Sequence, residues 1–577
     1  MTSARSAAAT TALRARLGVA TAAFRETLAN PDLRRAQLAY GAVLAGEWAF
    51  TVALAVVAFR HGGARAVGLT TVALSVPAAV LVPFGAALSD RLRRERVLIG
   101  AGLGCALAIG CAAAGVASGA PLTWIVALAS AANVALFAIR PVHSALLPAL
   151  CRTPRQLTSA TVVRGMMDSL GALVGPAAAA VGLAVAGPQA VLVAVSAAFV
   201  WSAVLIARVR YEAPPRVEVA RRRLGREALE GIAALARHRD AAVVIGMAVA
   251  QTFTRGCLSV LVVVLSIDLL RSGEAGVGVL TAAIGAGAVA GSLGALMLAE
   301  TRALARLEGV GVALWGLPLL ACAVLPQQPA VIAFLAAVGV GNALVDVGLF
   351  SLPTRLVPEE LVGRVFGIFE SLVALSVGLG SLTASVLVEA VGIRGALLAI
   401  GPLCPLCVLV LWPRLCGIDR EIARRDDEIG LLQRVPMLHE LGLPAIERIA
   451  TRLEPCVVAS GAQVFEQSEP GDRFYVIASG TAEVRRDGVA VCALGPGDSF
   501  GEIALICDRP RTAGVRALGE LHLRAVRGDD LLLAINGYDA ATAAAQETVR
   551  RLLQGDALRL DPPARSPAPL GALPAVG

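Results

Sequence analysis

The most specific chemistry in this chain of 577 residues sits near its C-terminal end, in the stretch FGEIALICDRPRTAGVRA that runs from Phe500 to Ala517. Glu502 follows a glycine, Gly501, and opens a short apolar turn. Arg511 comes nine residues after the acid, in a setting of small residues. This pattern suits a ligand that carries both a phosphate and a sugar hydroxyl. A carboxylate accepts the hydroxyl, and a guanidinium forks onto phosphate oxygens in a geometry that an ammonium lacks.

A second group of chemically active residues lies in very different surroundings. Glu47, Asp168, Arg255, Asp346 and Glu370 each fall inside a long apolar run. A charge placed in lipid costs about 3 kcal/mol or more unless it is paired or wetted, so such residues mark a substrate or ion path. A carboxylate in a cavity of this kind can carry a driving proton. The alternative role is structural, with Arg255 paired to one of the acids and locking helices together. Asp268 and Glu389 lie near the ends of their runs and read as interfacial.

The elements that must hold these residues follow from composition. Hydrophobic residues make up 56% of the chain, charged residues only 16%, and the mean hydropathy is +0.72. Soluble domains are nearer a quarter charged. Apolar runs of the length a bilayer needs, about 20 residues, recur at 37–59, 66–88, 97–117, 122–139, 165–187 and 189–207. They recur again at 241–267, 276–299, 303–325, 330–349, 365–389 and 395–412. The expected fold is therefore an all-α polytopic membrane bundle of about twelve helices, in two halves at 37–207 and 241–413. The first run is too long and too far from the start for a cleaved signal peptide.

Arginine orients this bundle. No lysine is present, and the net charge of +8 is concentrated in alternate segments: 1–36, the loop Arg91 to Arg96, Arg152 and Arg155, and the linker 208–240. The loops between them are nearly bare of cations. The excess is a topology signal that places both termini in the cytoplasm, in a multi-pass protein of the inner membrane. It is not a nucleic-acid surface.

The halves echo each other. SALLPALCRTPRQLTSATVVRGMMDSLGALVG begins at Ser144 and FSLPTRLVPEELVGRVFGIFESLVALSVG at Phe350. Both run from a proline pair through a polar turn into an apolar helix with an acid-Ser-Leu triplet, Asp168 to Leu170 and Glu370 to Leu372. Repeats of six spans are what a rocking transporter uses, with its site between the halves near the midplane. Asp168 and Glu370, at equivalent places in the repeat, are the first choices for coupling.

The loop GAALSDRLRRERVL, from Gly85 to Leu98, resembles the signature of the major facilitator superfamily in Asp90, Arg91 and Arg94. Arg93 stands where that family usually has a second glycine, and Gly85 is one residue early. A weaker echo, GALMLAETR, occupies the same place in the second half. The resemblance implies a conformational role for the loop, which pins cytoplasmic helix ends together. GALVGPAAAAVG, from Gly171 to Gly182, is similar at Gly175 and Pro176 to a motif of proton-coupled exporters in that superfamily, and also suits close helix packing. The implied function is secondary transport of an unidentified small organic solute, outward and coupled to protons; no nucleotide-hydrolase loop occurs in the sequence.

The eleven cysteines and five histidines show no metal spacing, and Cys404 and Cys407, spaced as a redox pair, sit in the last apolar helix without its usual context. No nucleophile-base arrangement points to an enzyme, and no covalent cofactor is expected.

After Trp412 the composition changes. A charged, helix-like linker at 414–434 precedes apolar helical spacing over 435–453, then short alternating strands with turns at Gly471, Gly480, Gly488 and Gly497. The segment 435–555 resembles the cyclic nucleotide-binding domain, an α+β roll of short strands flanked by helices. The resemblance implies a cradle of Gly501, Glu502, Ile503, Ala504, Arg511, Thr512 and Ala513, with Glu502 on the ribose 2′-hydroxyl and Arg511 on the cyclic phosphate. It implies cAMP as the preferred regulatory ligand and cGMP as the alternative, since Thr512 is compatible with both. A final helix at 540–553, with Val549, Leu552 and Leu553, would form a lid, and the Pro/Ala-rich tail 556–577 reads as disordered. A transporter regulated by cyclic nucleotide is the expectation. A transporter-like sensor without net transport is the alternative. Twelve spans in repeated halves, with no filter loop, argue against a channel. The sequence leaves the oligomeric state open.

Overall fold

The computed structural model describes residues 25, 27–89, 93–151, 153–210, 233, 235–297, 302–438 and 441–535. The chain divides into two compact units, Met1–Asp419 and Arg420–Gly577.

In the first unit the helices are α1 (Pro31–Ser89), α2 (Arg94–Ser118), α3 (Leu122–Leu150), α4 (Pro154–Ala207) and α5 (Arg239–Val264). They continue with α6 (Gly273–Met297), α7 (Leu304–Val324), α8 (Gln328–Leu356), α9 (Glu359–Ile400) and α10 (Leu403–Leu432), whose last turns belong to the second unit. Among the described residues, 9 segments are long and apolar enough to cross a membrane, and three of them, at 47, 52 and 72 residues, are about twice the length of one crossing or more. Gly63, Gly187 and Gly392 interrupt these three with φ of 60°, 76° and 72°, a left-handed conformation that glycine adopts without a Cβ penalty. Nine segments, three of them double, make twelve crossings. The bundle is the polytopic helical fold expected from hydropathy.

Two helices extend well beyond their apolar windows. α3 continues past residue 139 to Leu150, and α4 starts at Pro154, where the Thr153 hydroxyl accepts the Gln156 N–H at 3.2 Å and proline fills the first turn. α10 likewise carries the last span and the charged linker as one helix, after a turn at residues 401–402. Asp419 on that helix explains part of this continuity. Its carboxylate accepts the N–H groups of Ala305 (2.8 Å) and Arg306 (3.2 Å) at the start of α7, and the Arg306 Nε at 2.8 Å, which satisfies donors that a helix N-terminus leaves free.

Small residues let the helices pack backbone to backbone. A Cβ at Gly287 would lie 1.8 Å from the Ala336 carbonyl oxygen, and one at Gly339 would lie 1.9 Å from that of Ile284, so α6 and α8 touch along their main chains. The halves meet through similar contacts: the Ser381 hydroxyl donates to the Gly68 carbonyl at 3.3 Å, Ser169 and Ser292 lie 3.5 Å apart, and Arg60 and Glu274 form a bidentate ion pair.

The second unit begins with the end of α10. The helical spacing expected over 435–453 is realised in two pieces, a 3₁₀ turn (Pro436–Leu438) and α11 (Leu443–Ala450). Gly442, extended as the N-cap, and a proline in the first turn of α11 separate them. Their apolar residues are buried, with Met437, Leu438, Ile446 and Ile449 packing on Phe474 and Leu531. The strands are β1 (Glu454–Val458), β2 (Gln463–Phe465), β3 (Arg473–Ser479), β4 (Ala482–Arg486), β5 (Val489–Leu494), β6 (Ser499–Phe500), β7 (Gly514–Ala517) and β8 (Leu521–Arg527). Helix α12 (Glu502–Ile506) connects β6 to β7, and α13 (Gly528–Ile535) follows β8. All pairings are antiparallel, in two four-stranded sheets ordered β1-β8-β3-β6 and β2-β7-β4-β5. Ile477, Phe500, Val515, Leu521 and Leu523 are buried in the core of this β-roll.

Asp90, Arg91, most of the segments 1–36 and 208–240, the helix expected at 540–553 with Val549, Leu552 and Leu553, and the tail 556–577 lie outside the described residues.

Candidate functional site

Two sites emerge, one in each unit. In the β-roll, Gly501 (φ 96°) ends β6 and turns the chain into α12, whose first residue is Glu502. Glu502 and Arg511 are both buried, at 5% and 4% exposure. The Arg511 guanidinium donates from Nη1 to the Gly501 carbonyl at 2.9 Å and from Nη2 to the Arg473 carbonyl at 2.7 Å. It lies over the Phe465 ring, 4.2 Å from its centroid, with Tyr475 behind at 5.9 Å. A guanidinium has five N–H donors, so two backbone acceptors fix its plane and leave the others for an anion. Room for it depends on glycine: a Cβ at Gly471 would lie 2.9 Å from the Arg511 Cζ and 2.7 Å from the Ala504 Cβ.

The Glu502 carboxyl is poised differently. Its Oε2 is buried with no hydrogen-bond partner. Burial pushes this carboxyl up to about 7, while a backbone hydrogen bond and the Arg511 charge pull it down. Burial also lowers the Arg511 guanidinium from its ordinary value, though an arginine stays charged. Ile503, Thr512 and Ala513 are half-buried and Ala504 is buried. The seven residues named from sequence thus occupy two adjoining segments, joined by the Arg511 bond to Gly501. The arrangement offers a cation, an uncommitted buried acceptor and an aromatic floor.

The second site lies inside the helical bundle. Arg140 on α3 donates to Glu47 on α1 at 3.0 Å and to Asp168 on α4 at 3.3 Å, and the Tyr40 hydroxyl donates to the same Asp168 oxygen at 3.1 Å. Arg255 on α5 lies over the Trp48 ring, 5.8 Å from its centroid, and within electrostatic reach of Arg140, Glu47, Asp346 and Glu370. Asp346 on α8 accepts from the Asn342 amide at 3.0 Å and feels the charges of Arg255 and Asp168. Glu370 on α9 feels Arg140 and Arg255. All five in-span residues picked from sequence therefore belong to one cluster, fed by both halves.

The alternative reading from sequence paired Arg255 with one of the acids; among the described residues the cation that bridges two acids is Arg140. Arg140 was missed because it falls one residue beyond the apolar window ending at 139, although the apolar sequence resumes and the helix runs on to Leu150. Arg164, 5.6 Å from the Tyr40 ring centroid, was missed at the other edge of the same boundary. Glu308 on α7 also went unnoticed: it is fully buried, and neither carboxyl oxygen has a hydrogen-bond partner. Of the signature loop, Arg94 is described, and its Nη1 donates to the Ala145 carbonyl on α3 at 2.7 Å. Cys404 and Cys407 are free thiols, with Cys404 beside Thr254 at 3.1 Å. No group of side chains able to hold a metal ion occurs among the described residues.

Fold and sites together define a multi-pass helical membrane protein joined to a ligand-binding β-roll. The Major Facilitator Superfamily profile matches residues 38–307 and 247–431, more than half of the chain, and the chain belongs to that family. The cyclic nucleotide-binding domain profile matches residues 455–538. Neither is a family of enzymes. The C-terminal part is similar to the cAMP-dependent protein kinase regulatory subunit of Yarrowia lipolytica, 39% identical over 114 residues, 19% of this chain and 30% of that protein. It is also similar to the subunit of the same name from Dictyostelium discoideum, 36% identical over 110 residues, 18% of this chain and 34% of that one. The chain thus spans about a third of the length of the curated relatives it matches. A solved N-terminal domain of a transcriptional regulator from Streptomyces coelicolor A3(2) aligns at 29% identity over 24% of this chain and 99% of that chain, with a TM-score of 0.20.

Proposed function

We propose that the protein is a secondary active transporter of a small organic solute whose cycle is regulated by a cyclic nucleotide bound at Glu502 and Arg511. The observation that carries the transport reading is the inward cluster of Glu47, Arg140, Asp168, Arg255, Asp346 and Glu370, drawn from both halves. Charges are expensive in a membrane interior and are retained where a substrate or ion passes. Asp346 and Glu370, without an ion-pair partner in the cluster, are the residues placed to carry a coupling proton. The likeness around Gly175 and Pro176 supports outward transport.

For the nucleotide, Glu502 Oε2 is the acceptor for the ribose hydroxyl and the remaining Arg511 donors take the cyclic phosphate, with Ile503, Ala504 and Ala513 lending backbone amides. Kinship with cAMP-dependent kinase subunits supports cAMP over cGMP. Arginine asymmetry supports cytoplasmic termini in the inner membrane, which gives the β-roll access to the cellular nucleotide pool. The boundaries of the segments at 1–36, 37–207, 208–240, 241–413, 414–434, 435–555 and 556–577 are part of the same reading.

A ligand biases a conformational equilibrium only by its differential affinity for the two states, typically about 5- to 150-fold. Flux of labelled solute in proteoliposomes, measured with and without saturating cAMP, tests the proposal. Flux should change in the wild type, and Arg511→Ala should remove the response while leaving basal flux in place. Equal flux in both conditions, in protein that binds cAMP, would overturn the regulatory reading.

A further inference from the structure

The charged cluster in the bundle divides into groups that the protein has already satisfied and groups that it has not. On the first half, Arg140 spends Nη2 on Glu47 and Nη1 on Asp168, and Tyr40 adds a third bond to that acid. On the second half the groups are unspent. Arg255 makes no hydrogen bond or ion pair with any described residue, and its guanidinium lies 5.8 Å from the centroid of the Trp48 ring. Glu370 has no hydrogen-bond partner among the described residues, and Asp346 has a single bond, from Asn342 to Oδ2. Arg255, Asp346 and Glu370 are all solvent-accessible, and each of the two acids lies within electrostatic reach of Arg255.

From this division we infer that the transported solute is a zwitterion of the amino-acid type, whose anionic group forks onto Arg255 and whose ammonium sits between Asp346 and Glu370. The inference rests on the cluster being the transport site. An anion alone would satisfy Arg255 and leave two acids without a cation. A cation alone would satisfy the acids and leave a guanidinium unpaired, and either leftover is costly away from bulk water. A zwitterion serves both at once and adds no net charge to the site. The guanidinium, 5.8 Å from the centroid of the Trp48 ring, keeps its N–H donors for a carboxylate, which can accept two parallel N–H···O bonds. Because the unspent groups belong to α5, α8 and α9, the second half docks the solute, while the first half offers a neutralised wall and the Trp48 ring.

Counterflow into proteoliposomes of the full-length protein tests this with labelled leucine, phenylalanine, glutamate and lysine. Each is run beside the amine lacking its α-carboxylate and the acid lacking its α-ammonium. At least one amino acid should be carried, with both analogues taken about 10- to 100-fold less well, the loss expected for one charged hydrogen-bonding group. Arg255→Gln should erase the preference for the amino acid over its amine, and Asp346→Asn with Glu370→Gln should erase the preference over its acid. A monodisperse elution profile and an unchanged melting temperature of the detergent-solubilised protein report that each variant is folded. Transport of an analogue as fast as its amino acid, or of analogues alone, would overturn the zwitterion assignment while leaving the transport reading in place. Failure to carry any probe, with neutral, cationic and anionic organic solutes also excluded, would overturn both. A folded Arg255→Gln variant that keeps the full discrimination would overturn the role of Arg255.

Discussion

Replacing Glu502 by glutamine should make the β-roll more stable at alkaline pH and a poorer nucleotide binder. Glu502 is only 5% exposed, and burial holds its carboxyl near 7 against an ordinary 4.5. At 1.36 kcal/mol for each pH unit, the difference corresponds to about 3 kcal/mol. Between pH 4.5 and about 7 the folded domain keeps a proton that the unfolded chain has released. Stability is therefore complete below 4.5, falls as pH rises through this window, and is level above it. Glutamine carries no such proton, so the variant lacks this decline. Urea unfolding of the unit Arg420–Gly577, followed by circular dichroism, should show Glu502→Gln more stable than wild type by up to about 3 kcal/mol at pH 8 and close to equal at pH 4.5. Calorimetry at pH 8 should show nucleotide affinity reduced about 10- to 100-fold, because an ionised acceptor for the ribose hydroxyl is gone. A variant equally shifted at both pH values, or less stable at pH 8, would refute the claim that a desolvated carboxylate is kept for binding.

Three further outcomes are expected. Arg511→Ala removes the donors to the Gly501 and Arg473 carbonyls, and calorimetry should show cAMP binding weakened by about 2–4 kcal/mol. Gly287→Ala would set a methyl group 1.8 Å from the Ala336 oxygen, so α6 and α8 must separate, and the detergent-solubilised protein should melt several degrees lower or fail to accumulate. Glu308→Met exchanges a fully buried carboxyl without a hydrogen-bond partner for an apolar chain of similar size, and the melting temperature should rise. A fall would show that the carboxyl is satisfied in the folded protein.

The kinds of element were legible because each rests on a local physical rule. Lipid demands about 20 apolar residues for each crossing, which made the count of spans readable without knowing how they pack. Period-two alternation and Gly-Asp turns announced the strands of the β-roll, and Gly501, Glu502 and Arg511 could be singled out because they lie within a dozen positions of one another. Boundaries were less accessible. Arg140 and Arg164 fell outside their windows because a helix inside a protein is stabilised by packing as well as by hydropathy, and so outruns its apolar stretch.

What the sequence by itself determined is the identity of the costly groups: five ionisable residues in apolar runs, and one acid and one arginine beside a glycine. Only the tertiary structure decided their partners. Nothing in the spacing says that Arg140, 93 positions from Glu47, pairs with it and with Asp168, or that Arg255 lies on Trp48 and keeps its donors free. Nor does it reveal that Glu308 is buried alone beneath Gly348. Pairing of charges falls off with distance through space, and in a bundle of twelve crossings that distance is set by which helices the small residues allow to touch, not by separation along the chain.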